Sequence, residues 1–233
     1  MSADLETLLL DYGKLSEQDM LIEELEPLKN MGKRFEEMMM IHKAAIREVR
    51  TKLEVLNDEF QVKSKRNPIR YIKHRIKKPE SIIEKMHRRG FEMSLDSMVQ
   101  NLNDIAGVRV VCGYGSDIYD IADMLKKQDD VRVILEKDYI KNPKPNGYRS
   151  LHIVVEIPVF FSDRKQFVKV EVQIRTMAMD FWASLEHQLH YKHTGGEYDE
   201  IVDELRECAE TIHQTDTKMQ RIYNRIMKGE DEA

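Results

Sequence analysis

The stretch Gln166-Phe-Val-Lys-Val-Glu-Val-Gln-Ile-Arg-Thr176 decides the fold. Val168, Val170, Val172 and Ile174 occupy one face of an extended strand, and Lys169, Glu171, Gln173 and Arg175 occupy the other. The apolar face requires a core, while the polar face gathers titratable groups. An ordinary half-exposed strand alternates in the same way, so the surroundings must say what the polar face is for. Upstream, Ser150 to Val159 reads as a second strand, joined to the first as a hairpin by the turn-rich Phe161-Ser-Asp-Arg-Lys165. A strand from Ile105 to Cys112, a helix opened by Ser116 and running to about Gln128, and a short strand near Val131 to Leu135 come before it. A helix from about Met177 to Lys192 closes this α/β core.

Two further segments give the polar face a purpose. In Asp104-Ile-Ala-Gly-Val-Arg109 a carboxylate stands at the start of a strand and a guanidinium emerges five residues on. A helix from about Pro79, suited to the first turn, to Gly90, a natural terminator, buries Ile82, Ile83 and Met86. Ser81, Lys85 and Arg88 fall at i, i+4 and i+7 on one of its faces, beyond Arg75 and Lys77 on the approaching chain. Lys63 to Gly90 carries eleven Lys/Arg against Glu80 and Glu84, a net +9 in a chain of 233 residues whose total is −5. An acidic body with one basic patch is the arrangement expected for a polyanionic ligand, either nucleic acid or nucleotide polyphosphate.

The flanks are helical. Phe35, Met39, His42, Ile46, Val49, Leu53, Leu56 and Phe60 form a heptad-like seam within Ser16 to Phe60, with a break expected near Pro27. Ile201, Leu205, Cys208, Ile212, Thr215, Met219, Ile222 and Ile226 form another from Tyr198 onward. Each can pack on the central domain, on the other seam or on a second subunit, and His42 reads as a core or interface histidine. The expected division is a helical segment 1–62, a catalytic domain 63–195 and a C-terminal helix and tail 196–233, together one unit. No apolar run approaches the roughly 20 residues of a bilayer crossing, and the N-terminus is acidic, so a cytoplasmic protein is expected. Cys112 and Cys208 show no metal spacing and read as reduced, buried thiols.

Phosphoryl or pyrophosphoryl transfer needs carboxylates for Mg²⁺, cations for the phosphates and a means of positioning the attacking hydroxyl. Asp104 and Glu171 are the candidate ligands, since Mg²⁺ is commonly held by one or two carboxylates plus substrate phosphates. There is no GxxxxGK[ST] loop and no kinase HRD or DFG set, so basic side chains must grip the phosphates. The loop Asn142-Pro-Lys-Pro-Asn-Gly-Tyr148-Arg-Ser-Leu-His152 projects an aromatic ring able to stack on a purine, bracketed by Lys144 and Arg149.

These motifs, Arg75-Ile-Lys77 with Ser81, Lys85 and Arg88, Asp104 to Arg109, Pro145-Asn146-Gly-Tyr148 to His152, and Glu171 to Thr176 followed by Met179-Asp-Phe-Trp-Ala, resemble the synthetase domain of the RelA/SpoT proteins. The likeness is greatest to the stand-alone small alarmone synthetases of the RelP type. It implies an α+β fold with a nucleotidyltransferase-like mixed sheet, and transfer of pyrophosphate from ATP to the ribose 3′-hydroxyl of GDP or GTP. It also implies that Arg75 and Arg109 sandwich adenine while Lys77, Ser81, Lys85 and Arg88 bind the ATP phosphates. The Arg-x-Lys spacing selects Lys77, although Lys78 directly follows. Asp104 and Glu171 would hold Mg²⁺, with Glu171 taking the proton of the hydroxyl. Tyr148 would stack on guanine, with Lys144, Asn146, Arg149, His152, Gln173 and Arg175 around the acceptor. Asp180, where long family members carry histidine, would accept from guanine N1 and N2. Homotetramers occur among the related proteins. The chain has no His-Asp dipeptide, so the hydrolase of the long members is not expected.

Two other readings compete. His187, His190 and His193 suggest zinc, but the third lies about 240° round a helix from the first, which strains a shared metal. A non-catalytic RNA-binding module would use the basic segment on phosphates and Tyr148 on a base, yet it leaves Asp104 and Glu171 without a task.

Overall fold

The computed structural model describes residues 22–63, 66–192 and 198–230. Its centre is a five-stranded mixed sheet. In chain order the elements are α1 (Ile22–Lys63), β1 (Ile69–Ile76), α2 (Pro79–Arg89), α3 (Leu95–Asn101), β2 (Ala106–Cys112) and α4 (Gly115–Lys126). They are followed by β3 (Arg132–Asp138), β4 (Leu151–Phe160), β5 (Lys165–Thr176), α5 (Met177–Lys192) and α6 (Tyr198–Glu230). The strands run β1-β2-β5-β4-β3; β2 and β5 are parallel and the other neighbours antiparallel.

The alternation on β5 sorts the molecule into two sides. Val168, Val170, Val172 and Ile174 join Val108, Val110, Ile153 and Val155 in the main core, closed by Ile41, Ala45, Ile46, Val49 and Leu53 of α1 and Ile118, Ile121 and Leu125 of α4. Full burial of such side chains stabilises by about 1.5–3 kcal/mol each, so this face fixes the register of every strand. The N-terminal seam therefore packs on the sheet of its own chain. His42 lies within it, its Nδ1 2.7 Å from the Met38 carbonyl, and burial holds its pKa below the ordinary 6.5. A smaller core of Phe35, Met38, Ile82, Ile83, Met86, Met98 and Leu102 ties α2 and α3 to α1.

Several expectations require correction. The first helix runs through Pro27 without a break; a proline removes one intrahelical bond and bends a helix more readily than it ends a long one. The basic segment ahead of α2 is the edge strand β1, and α3, capped by Ser94 accepting from Ser97 N–H, was not foreseen. Helix α4 begins at Gly115, where Tyr114 N–H donates to Asp117 Oδ2 at 3.0 Å. The third strand extends to Asp138. Cys112 is buried, and burial pushes its thiol pKa up, but Cys208 is exposed on the outer side of α6. The α2 helix is as expected: proline opens it and Gly90, at φ 65°, ends it. Among the described residues no helix is long and apolar enough to cross a membrane.

Candidate active site

Pairing register builds the other side of the sheet. Gly107 lies opposite both Arg75 and Glu171, Arg109 opposite Gln173, Val111 opposite Tyr71 and Arg175, and His152 opposite Gln173. Paired residues point to the same face, so strands distant in sequence deliver arginine, glutamate, glutamine and histidine side by side. Arg75 packs over Gly107: a Cβ there would lie 3.4 Å from Arg75 Cγ and 3.6 Å from its Nε, ordinary contact distances.

Asp104 and Glu171 line one cavity of about 450 Å³, together with Arg75, Lys85, Arg89, Lys144, His152 and Gln173. Asp104 Oδ2 accepts from Lys77 Nζ at 2.9 Å and Lys85 Nζ at 2.8 Å. Burial alone would raise its pKa, but the two ammonium groups outweigh it and hold the carboxyl below its usual value. Glu171 is likewise pushed up by burial and brought below its ordinary value by His152 and Gln173. His152 Nδ1 is 3.2 Å from Glu171 Oε1, and Gln173 Nε2 donates to Oε2 at 2.8 Å. Both acids are thus held ionised. Lys77 is the member of the Lys77–Lys78 pair turned to the site; Lys78 is the N-cap residue of α2.

Asp104 Oδ1 is buried without a hydrogen-bond partner. A divalent cation would satisfy that oxygen by coordination, and the donor set of two ionised carboxylates beside a cavity able to hold phosphates fits Mg²⁺. Among the described residues no group of three or more His, Cys, Asp or Glu could hold a metal. The zinc reading rests partly on His193, which lies outside the described residues.

A second cavity of about 530 Å³ adjoins the first, sharing Arg75, Lys144, His152 and Gln173 with it and adding Arg109, Asn146, Tyr148 and Arg175. Between Arg75 and Arg109 a slot of about 150 Å³ also touches Gly107 and Gln173. Tyr148, half-buried, has three polar neighbours and lines the second cavity. Its hydroxyl is 2.8 Å from His152 Nε2, Lys144 Nζ is 4.7 Å from its ring centre, and Arg175 Cζ is 5.7 Å away. Gly147, at φ 87°, makes the turn that presents it, and the Asn146 side chain accepts from Tyr148 N–H at 3.2 Å.

Not all the expected residues converge. Ser81 and Arg88 lie outside the lining of the first cavity, and Arg89, one step further round α2, takes a place there. Arg149 turns to α6, where its Nη2 donates to Glu210 Oε2 at 3.0 Å. Asp180 does not line the second cavity; Tyr71 and Arg109 hydrogen-bond its two oxygens, and Arg175 Nε lies 3.6 Å from Oδ1 as an ion pair. Sequence reading missed Tyr139, which meets His152 edge-on at 5.1 Å, and Glu186, which accepts from Asn146 Nδ2 at 3.2 Å in the second cavity. Tyr139 carried a signal, an aromatic just before the turn-rich loop; Glu186 gave none. A separate cavity of about 310 Å³ between α1, α3 and the start of β5 includes none of the expected site residues.

A mixed sheet bearing two ionised carboxylates on one face, under cavities walled by lysine and arginine, defines an enzyme acting on nucleotide phosphates. Residues 74–196 match the family model described as the region found in RelA/SpoT proteins, and the chain belongs to that family. It is 41% identical over 208 residues to GTP pyrophosphokinase YwaC of Bacillus subtilis, covering 89% of this chain and 99% of that one. The crystal structure of small alarmone synthetase 2 from Bacillus subtilis matches with a TM-score of 0.73 at 41% identity, over 82% of this chain and 98% of that one. Small alarmone synthetase 1 from the same organism, bound to its product pppGpp, matches with a TM-score of 0.77 at 32% identity, over 83% and 98%.

Proposed function

We propose that this protein is a (p)ppGpp synthetase, a GTP diphosphokinase that transfers the β,γ-pyrophosphoryl group of ATP to the ribose 3′-oxygen of GDP or GTP. The observation that carries the reading is the shared cavity of Asp104 and Glu171 beside the cavity of Tyr148. In the reaction the 3′-oxygen forms a bond to Pβ, the bond from Pβ to the bridging oxygen of Pα breaks, and AMP leaves with that oxygen. Glu171 takes the hydroxyl proton, because it is ionised and steered by His152 and Gln173. Arg75 and Arg109 flank the slot that fits a stacked adenine, and Lys77, Lys85 and Arg89 are placed for the triphosphate, with Ser81 and Arg88 adjoining on α2. Tyr148 stacks on guanine, with Lys144, Asn146, His152, Gln173 and Arg175 around the acceptor. Mg²⁺ would be held by Asp104 and Glu171 and would supply charge neutralisation on the transferred phosphates.

The RNA-binding alternative is disfavoured by the same geometry, because two ionised carboxylates at the floor of the basic cavity repel a phosphodiester. A cytoplasmic location suits the nucleotide substrates. Assembly into a homo-oligomer, a tetramer by resemblance, is supported by Met219, Ile222 and Ile226, which leave an exposed apolar stripe on α6. The test is incubation of purified protein with ATP, GDP and Mg²⁺ followed by chromatography. AMP should appear in step with a guanosine tetraphosphate, and its absence across acceptors and metal concentrations would overturn the reading.

A further inference from the structure

Asp180 lies in the first turn of α5, where a helix N-terminus favours negative charge, and it is only 4% exposed. Its Oδ2 accepts from the Tyr71 hydroxyl at 2.6 Å. Its Oδ1 accepts from Arg109 Nη1 at 3.3 Å and lies 3.6 Å from Arg175 Nε. The two arginines serve different halves of the site. Arg109 walls the slot shared with Arg75. Arg175 is 1% exposed and lies beside the ring of Tyr148 in the second cavity. Tyr71, Val111 and Arg175 stand in register across β1, β2 and β5, so the phenol reaches the carboxylate along one line of the sheet.

We propose that Asp180, tethered by Tyr71, is a positioning residue that orients Arg109 for the ATP base and Arg175 beneath the acceptor's tyrosine, coupling the two nucleotide subsites through one carboxylate. The proposal rests on the assignment of those subsites given above. Three physical points support it. A guanidinium as buried as Arg175 is costly without an opposite charge, and Asp180 is the carboxylate paired with it. Arg175 Nη2 in turn donates to Gln173 Oε1 at 2.8 Å, and Gln173 donates to Glu171, so the orientation set at Asp180 extends to the carboxylate that receives the proton. With one oxygen bonded to Tyr71, the other to Arg109 and ion-paired with Arg175, and its side chain outside the cavity lining, Asp180 is poorly placed to read a guanine edge directly. A base-reading role and a positioning role then make different forecasts. Reading guanine affects the acceptor alone, and it gives Tyr71, on the edge strand, no part in ATP binding.

The decisive variants are Tyr71→Phe, which removes one hydroxyl from a partly exposed side chain, and Asp180→Asn. The measurements are KM for ATP and for GDP, kcat, the melting temperature, and equilibrium binding of GDP and of a non-hydrolysable ATP analogue, each alone. In Tyr71→Phe both KM values and both dissociation constants should rise, by roughly fivefold to tenfold, with kcat less affected and the melting temperature within a few degrees of the parent. Asp180→Asn should shift both further, and adding Tyr71→Phe to it should cost much less than in the parent, since the two act as one unit. A rise confined to GDP, no rise above twofold in Tyr71→Phe, or full additivity of the two changes would overturn the coupling. A parent protein that binds both nucleotides but releases no AMP would instead sink the pyrophosphoryl-transfer reading, and the binding shifts would still decide the coupling.

Discussion

His152 reaches diagonally across the β4–β5 ladder to Glu171: its Nδ1 is 3.2 Å from Oε1, although its register partner is Gln173. The other ring nitrogen meets the Tyr148 hydroxyl at 2.8 Å. One imidazole therefore joins Glu171, the proposed proton acceptor, to Tyr148, the proposed platform for the acceptor base, and fixes both in one arrangement.

Glu171→Gln keeps the size of the side chain and its contact with Gln173 but cannot accept a proton. Turnover of ATP with GDP should fall by about a hundredfold to ten-thousandfold, while the melting temperature changes by no more than a few degrees. An RNA-binding module would gain affinity or be unaffected by this change. Measured initial rates of AMP release and a thermal melt decide between the two.

Tyr148→Ala should raise the KM for GDP far more than that for ATP, since one base stack is worth about 1–3 kcal/mol. Tyr148→Phe keeps the stack and breaks the contact with His152, so its effect should appear mainly in kcat. Equal losses for both nucleotides in the alanine variant would contradict the assignment of the second cavity to the acceptor.

Gly147 cannot be replaced cheaply. At φ 87° its missing Cβ would lie 2.5 Å from the Ala209 Cβ and 3.3 Å from the Arg206 Cα of α6. Gly147→Ala should destabilise by about 1–3 kcal/mol and weaken GDP binding by displacing Tyr148. Adding Ala209→Gly should recover part of the loss, measured by thermal melts and by the KM for GDP. No recovery would mean that backbone strain, not the approach of α6, sets the cost.

The buried His42 makes stability depend on pH. Its pKa is lowered in the folded protein by burial, against the opposing bond to Met38, so the unfolded chain binds the proton first as pH falls. Stability is complete above the ordinary value of 6.5 and declines as pH drops below it toward the folded value, by at most about 1.4 kcal/mol per unit of pH. Between pH 7.5 and 5 the melting temperature of His42→Leu should fall less steeply than that of the parent. Parallel slopes would remove His42 as a source.

Much of this was legible beforehand because a strand's alternation and a helix's spacing are local. Glu171, Gln173 and Arg175 declared a common face, and Pro79 and Gly90 bounded α2. What failed was non-local. The outward turn of Arg149 depends on Glu210, and the occupation of Asp180 on Tyr71 and Arg109, partners between 61 and 109 residues away. Ser81 and Arg88 shared a face with Lys85, but which edge of that face meets the cavity depends on how α2 rests on Phe35 and Met38. The strand β1 was hidden by its charges: as an edge strand carrying three of the basic residues, it lacks the apolar run that marks its neighbours.

The position of β5 at the centre of the sheet has a consequence for how the enzyme comes into being. Its two flanking strands, β2 and β4, touch each other only through it, so a ribosome-bound chain that has not yet emerged past Thr176 can complete neither the hydrophobic layer nor the pair of acids. Competence to signal and completion of the architecture are then a single event, and no half-built precursor can consume ATP.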